Sequence, residues 1–176
     1  MDIDERFSEW SRGLLGQPPD GDSPLECDVV EAAHLIMVLG WIERRLFAQH
    51  LAGYGLTIPQ FFTLVAIHRH ENGCSMGILA EETQQCSATM TGIIDRLLKM
   101  GLVRRDRDEN DRRLVRVHLT RTGQELLRET LNKRVGRLRQ ALSRLDAGNR
   151  KKVIEALKVF IIHSQEEVRE GPSAAC

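Results

Sequence analysis

Residues 75–123 read SMGILAEETQQCSATMTGIIDRLLKMGLVRRDRDENDRRLVRVHLTRTG, and this stretch decides the fold. Ile78, Leu79 and Ala80 form a short helical run that Ser75 can cap. Gln84-Gln85-Cys86-Ser87 is polar and has the length of a turn. From Ser87 onward, Met90, Ile93, Ile94, Leu97 and Leu98 recur at spacings of three and four, the stripe of a helix buried on one side. Gly101 ends that helix by taking the left-handed conformation a helix stop requires. Leu102-Val103 and the alternation Val115, Val117, Leu119 then predict two short strands, with a charged segment, 107–113, between them. Helix, turn, helix and a hairpin with a charged tip make a winged helix-turn-helix, a DNA-reading unit.

The remainder of the 176 residues predicts helix almost throughout. Ile3, Phe7, Trp10 and Leu14 fall at helical spacing, so residues 3–15 predict a short amphipathic helix in which Trp10 covers a hydrophobic groove. Residues 17–24 are rich in Pro, Gly and Asp and read as a linker. Residues 26–51 predict a helix whose apolar residues run nearly all the way round, so it must be covered on every side; a second copy of the chain is the expected cover. Another helix starts after Leu56, with Thr57 placed to cap and Pro59 in the first turn. It carries Phe61, Phe62, Leu64, Val65 and Ile67 and ends near His70. After the hairpin, Thr120 caps a long helix to about Arg144. Its Leu131, Val135, Leu138, Leu142 and Leu145 form a coiled-coil seam. A break at Asp146–Asn149 precedes a last helix with Val153, Leu157, Phe160, Ile161 and Val168 on one stripe.

The expected fold class is therefore mostly α, a winged helix-turn-helix with a small β-hairpin wing plus long terminal helices forming a dimerisation region. The expected divisions are an N-terminal extension at 1–24, helical dimerisation segments at 25–55 and 124–170, a DNA-binding domain at 56–123, and a flexible tail at 171–176.

Charge supports the division. The chain is neutral overall, yet residues 1–57 carry four basic and ten acidic side chains. Residues 99–121 carry eight basic and four acidic ones, and phosphate attraction depends on such a local patch. The apolar run Leu35–Leu39 is too short to span a bilayer, and the acidic start MDIDERF is neither a signal nor a transit peptide, so a cytoplasmic protein without membrane contact is expected. Cys27, Cys74, Cys86 and Cys176 form no CxxC pair, and His68 and His70, two apart on a helix, diverge. No metal site or cofactor is expected, and with no Gly-rich phosphate loop, paired acid/base pocket or Ser-His-Asp order, neither is an enzyme.

Leu56-Thr57 with Gln60 and Phe61, Asp95-Arg96-Leu97, Gly101-Leu102-Val103, Asp111-Arg112-Arg113, and Leu119-Thr120 with Gly123 resemble the MarR (multiple antibiotic resistance regulator) family. The resemblance covers residues 29 to about 165. It implies a homodimeric winged-helix transcription regulator, usually a repressor released by a small phenolic or lipophilic ligand, or by oxidation. One departure is Gly92, where family members often carry Arg or Pro in the recognition helix, so base readout is not carried to that position.

On this reading, Ser87, Ala88, Thr89 and Thr91 occupy the first turns of the recognition helix, off its apolar stripe, and face base edges and phosphates. Thr91 is the specific contact by family position, and Arg96 lies further along the helix. Arg113 enters the minor groove, because guanidinium groups are drawn into narrow electronegative grooves. Arg107 and Arg112 add phosphate contacts, with Arg104 and Arg105 as further candidates. Asp95 occupies a family position that pairs with Arg113 and anchors the wing, and Asp111 shapes the wing turn. The family pocket is placed among His34, Met37, Trp41, Phe61, Phe62 and Val65, suiting a lipophilic effector. A thiol-based redox regulator on the same fold would use Cys86, Cys27 or Cys74. A winged helix used only for protein contacts is the alternative from another class. The expected partners are double-stranded DNA with a pseudo-palindromic operator, a second copy of the chain and a small-molecule effector.

Overall fold

In a computed structural model, the described residues are Gly13, 24–107 and 115–170, with side chains described as far as 167. The predicted helix at 3–15, the linker, the wing tip with Asp111, Arg112 and Arg113, and the tail lie outside them or nearly so. The chain divides into two compact units, one ending at Ile58 and the other beginning at Pro59.

The first unit contains α1, Pro24–Ala52. Only Phe47 and Leu51 of this helix are buried, while Val29, Leu35, Ile36 and Leu39 are about half exposed or more. The apolar residues do run nearly all the way round, which leaves a large surface for something else to cover.

The second unit contains α2 (Ile58–His68), β1 (Cys74–Ser75), α3 (Met76–Glu82), α4 (Ser87–Lys99), β2 (Val103–Arg107), β3 (Val115–Leu119), α5 (Arg121–Leu142) and α6 (Ala147–Glu170). Each start and stop follows from its local chemistry. Pro59 sits in the first turn of α2, where its missing N–H costs nothing. Its carbonyl accepts a 2.9 Å hydrogen bond from the Thr63 hydroxyl. Ser75 caps α3, its hydroxyl accepting from the Ile78 amide at 3.4 Å. Helix α4 buries Met90, Ile93, Ile94 and Leu97, the expected stripe, while Leu98 is only half-buried. Its stop is a left-handed glycine turn: Gly101 has φ +69°, its amide donates to Leu98, and the Leu102 amide donates back to the Leu97 carbonyl at 3.0 Å. Helix α3 ends on the same hydrogen-bond pattern, but there Gln84 holds the left-handed position at φ +52°.

The sheet is antiparallel with order β1-β3-β2. The hairpin pairs Val103 with Leu119, Arg105 with Val117 and Arg107 with Val115. On the other side of β3, Cys74 pairs with Val117 and Ser75 with Arg116. Strand β1 was not expected from the sequence. Two residues are too few to show an alternation, and their partner lies more than forty positions away. The core of this unit is apolar and fully buried at Leu64, Ile67, Leu79, Met90, Ile94, Leu97 and Val117. Each such side chain stabilises the fold by roughly 1.5–3 kcal/mol relative to exposure.

Thr120 and Gly123 join α5 to the end of α4. The Thr120 hydroxyl accepts from the Gly123 amide at 3.1 Å, capping α5, and donates to the Gly101 carbonyl at 2.7 Å. The Thr120 amide donates to the Leu102 carbonyl at 3.0 Å. A Cβ on Gly123 would lie 2.1 Å from that same Leu102 oxygen. The spacing of Thr120 and Gly123 thus reflects a backbone approach that no side chain permits.

Candidate nucleic-acid interface

Burial of one side of α4 leaves the other in solvent. Ser87, Ala88, Thr89, Thr91, Gly92 and Arg96 are all exposed. The structure therefore gathers the expected reading residues on one open face. The Thr91 hydroxyl donates to the Ser87 carbonyl at 2.9 Å, which leaves its oxygen free to act as an acceptor. A Cβ on Gly92 would meet nothing within 4 Å, so packing within the chain does not require glycine there.

Cys86 is the N-cap residue of α4, and its side chain makes no capping hydrogen bond to the helix. Its sulfur lies 3.1 Å from the Thr89 hydroxyl. Hydrogen bonding with the Thr89 hydroxyl, the largest cause, holds this exposed thiol below its ordinary range. Cys27 is also exposed, whereas Cys74 is buried in β1. Burial, followed by the nearby Glu82 carboxylate, pushes the Cys74 thiol up. Cys86 is thus an exposed thiol at the start of α4, whereas Cys74 is closed off in the sheet.

Among the described residues, an arginine of β2 ties the wing to α4. Arg105 Nη2, on β2, donates to Asp95 Oδ1 at 2.8 Å. Asp95 thus binds recognition helix to wing strand through Arg105, and its expected partner Arg113 lies outside the described residues. Arg104 is ion-paired with Asp106 two positions along β2. These two cations, candidate phosphate contacts by sequence, already have carboxylate partners, while Arg107 is exposed at the end of β2. Sequence reasoning missed the Arg105–Asp95 pair because the two lie on different elements, ten positions apart.

The base of the wing carries a second polar joint. Arg116 Nη1 donates to the Gly73 carbonyl at 3.4 Å. The His118 ring lies so close to Gly73 that a Cβ there would fall 2.4 Å from it. His118 Nε2 is 3.7 Å from Asp106 Oδ2. Burial first, then the charges of Arg104 and Arg116, hold the His118 imidazole below its ordinary range. The folded state therefore binds this proton less readily than the unfolded chain. The stability it contributes is present in full above about pH 6.5 and is lost as pH falls through the lower folded value. Urea midpoints of the wild type should fall on acidification below about pH 6.5, and a His118→Gln variant should show a smaller fall.

The histidine pair considered for metal binding is divided. His68 is exposed, and His70 Nε2 is 2.8 Å from Glu82 Oε1, linking the loop after α2 to α3. Among the described residues no group of three His, Cys, Asp or Glu side chains is placed to hold a metal ion. The candidate effector residues fall in both units. His34 and Met37 of α1 are half-buried and Trp41 is exposed; in α2, Phe61 is buried, Phe62 exposed and Val65 half-buried. Among the described residues no helix is long and apolar enough to cross a membrane.

Comparisons with known proteins agree with this geometry. Residues 56–115 match the family model described as MarR family. The chain is 36% identical over 86 residues to the transcriptional regulator YsmB of Bacillus subtilis, covering 49% of this chain and 58% of that protein. A second Bacillus subtilis relative, YfiV, is matched over 65% of its length. The chain thus spans somewhat less than two thirds of each of these two proteins. The transcriptional repressor NicR of Pseudomonas putida is 32% identical over 137 residues, covering 76% of this chain and 85% of the repressor. Among solved structures, Staphylococcus aureus MepR, a transcription regulator of the efflux pump MepA, superposes with a TM-score of 0.67 at 18% identity, covering 74% and 96% of the two chains. A cysteine-to-serine variant of Escherichia coli MarR superposes with a TM-score of 0.60 at 25% identity, covering 73% and 95%. A MepR mutant bound to an oligodeoxyribonucleotide gives a TM-score of 0.61 at 19% identity, covering 75% and 96%. The relatives are regulators of transcription, not enzymes, and with the winged helix-turn-helix in place the chain belongs to the MarR family of DNA-binding transcription regulators.

Proposed function

We propose that the protein is a homodimeric repressor that binds a pseudo-palindromic operator and is released by a small lipophilic or phenolic ligand. The observation that carries the DNA-binding part is the open face of α4, short polar side chains with Arg96, tied through Asp95 and Arg105 to a basic wing. Ser87, Ala88, Thr89 and Thr91 read the major groove, Arg113 enters the flanking minor groove, and Arg107 and Arg112 hold phosphates. A relative of the same fold bound to an oligodeoxyribonucleotide, and another named a repressor, support this reading. The exposed apolar surfaces of α1 and α6 and the Val135–Leu138 stripe of α5 support assembly with a second copy. Residues 25–55 and 124–170 then form the dimerisation region, and 56–123 the reading domain. His34, Met37 and Trp41 of α1 and Phe61, Phe62 and Val65 of α2 are the residues proposed for the effector.

A second reading, release by oxidation, is favoured by one observation, the exposed Cys86 thiol at the start of α4. Peroxide acting on wild type but not on Cys86→Ser would select it.

Gel shift with the DNA upstream of the protein's own gene tests the proposal. Affinity should fall steeply with salt, and Arg113→Ala should weaken binding about tenfold or more while leaving the protein's assembly unchanged. No shift at low salt would leave a winged helix that serves protein contacts.

A further inference from the structure

The turn between α3 and α4 holds a residue that its backbone does not favour. Apart from glycines, Gln84 alone among the described residues has a positive φ, +52°. A side chain in that conformation crowds the neighbouring carbonyl oxygen, and glycine escapes the crowding. The stop of α4 shows the easier solution in the same chain. Both stops close with the same pair of amide bonds: Gln84 to Glu81 at 3.1 Å and Gln85 to Ala80 at 2.9 Å, against Gly101 to Leu98 and Leu102 to Leu97. Only the second places glycine at the left-handed position.

Nothing in the fold offsets the choice of Gln84. Its side chain is exposed, and its amide has no hydrogen-bond partner among the described residues. The polar side chains on either side of it are engaged within the turn. The Thr83 hydroxyl donates to the Leu79 carbonyl at 2.6 Å, and Gln85 Nε2 donates to the Thr83 carbonyl at 3.3 Å. The Cys86 sulfur lies 3.1 Å from the Thr89 hydroxyl. Strained backbone positions of this kind persist where a ligand is held. Gln84 stands two residues ahead of Cys86, the N-cap of α4. Where the start of α4 enters a major groove, the chain just before it must cross the groove's edge, and that edge is a row of phosphates. We propose that Gln84 is a DNA-contacting residue whose side-chain amide donates to a phosphate at this edge and fixes how α4 is seated in the groove. The contact rests on α4 being the helix that enters the groove, as proposed above. Because the amide is neutral, it supplies a directed hydrogen bond rather than a charge, so it positions the helix without adding to the salt dependence.

Full-length Gln84→Gly, Gln84→Ala and Gln84→Lys test the contact by urea unfolding, by gel shift on the DNA upstream of the protein's own gene, and by ethylation interference on that DNA. Gln84→Gly should raise the urea midpoint while binding DNA about tenfold more weakly. Gln84→Ala keeps a side chain at the strained position, so it should stay close to wild-type stability and lose the same affinity. Gln84→Lys should restore binding and steepen its salt dependence by about one phosphate's worth. Ethylation of one phosphate per half-site should hinder wild type and leave Gln84→Ala indifferent. Wild-type affinity in Gln84→Ala overturns the contact while the reading by α4 stands. Weakened binding with an unchanged interference pattern also overturns it, since Gln84 would then act only through the shape of the turn. A Gln84→Gly midpoint at or below that of wild type shows no strain to be explained and overturns it too. No shift by wild type at low salt removes the reading by α4 and the contact together.

Discussion

Gly123→Ala is expected to lower the stability of the second unit by about 3 kcal/mol or more. The added methyl would be driven to 2.1 Å from the Leu102 carbonyl oxygen, which already accepts from the Thr120 amide. Neither side can yield easily, because Leu102 is buried in the turn that stops α4 and Gly123 is held by the Thr120 hydroxyl. Relief requires α5 to move away from the recognition helix, losing the Thr120–Gly101 hydrogen bond as well. Gly92→Ala is the control. It lies within α4 with nothing nearby, so it should gain up to about 1 kcal/mol from helix propensity. Urea unfolding of the two variants against wild type measures both. A Gly123→Ala protein within about 0.5 kcal/mol of wild type would mean that the close approach is not there.

Dissolving the proposed dimer should have the largest effect on DNA binding. Leu157 and Ile161 lie four apart on α6 and are 50% and 55% exposed in the single chain. Replacing them with Lys and Glu removes little packing within one chain but places charges in a surface that association would dry. Leu157→Lys with Ile161→Glu should give a monomer that keeps its helical circular dichroism. Operator affinity should fall by about a hundredfold or more, since one reading head loses the avidity of two. Light scattering and gel shift read the two effects. A variant that remains dimeric would move the interface off α6.

What could be read from the sequence was written in local spacing. The stripe Met90–Leu97 placed α4 and its exposed face, Gly101 placed the stop, and Ser75 and Thr120 placed two helix starts within a residue. What could not be read depends on residues far apart in the chain. Strand β1 exists because Cys74 and Ser75 meet β3, and Arg105 reaches Asp95 only once the hairpin folds back on α4. The fit of His118 against Gly73 is of the same kind. Gly123 stood in the sequence as part of a family resemblance, and its cause, a backbone oxygen in the way of any side chain, appears only in the folded chain.

Hydroxyl-radical footprinting on the DNA upstream of the protein's own gene tests most directly that two copies read one operator. A two-fold dimer places two α4 helices in successive major grooves on one face of the duplex. The expected pattern is a pseudo-palindrome with half-site centres about 10 base pairs apart and protection extending into the flanking minor grooves. Those flanks should be A·T-rich where Arg113 enters, because the reading side chains on α4 are short and shape must supply much of the specificity. A single asymmetric protected site, or half-sites set at half-integral turns, would contradict the paired docking of α4.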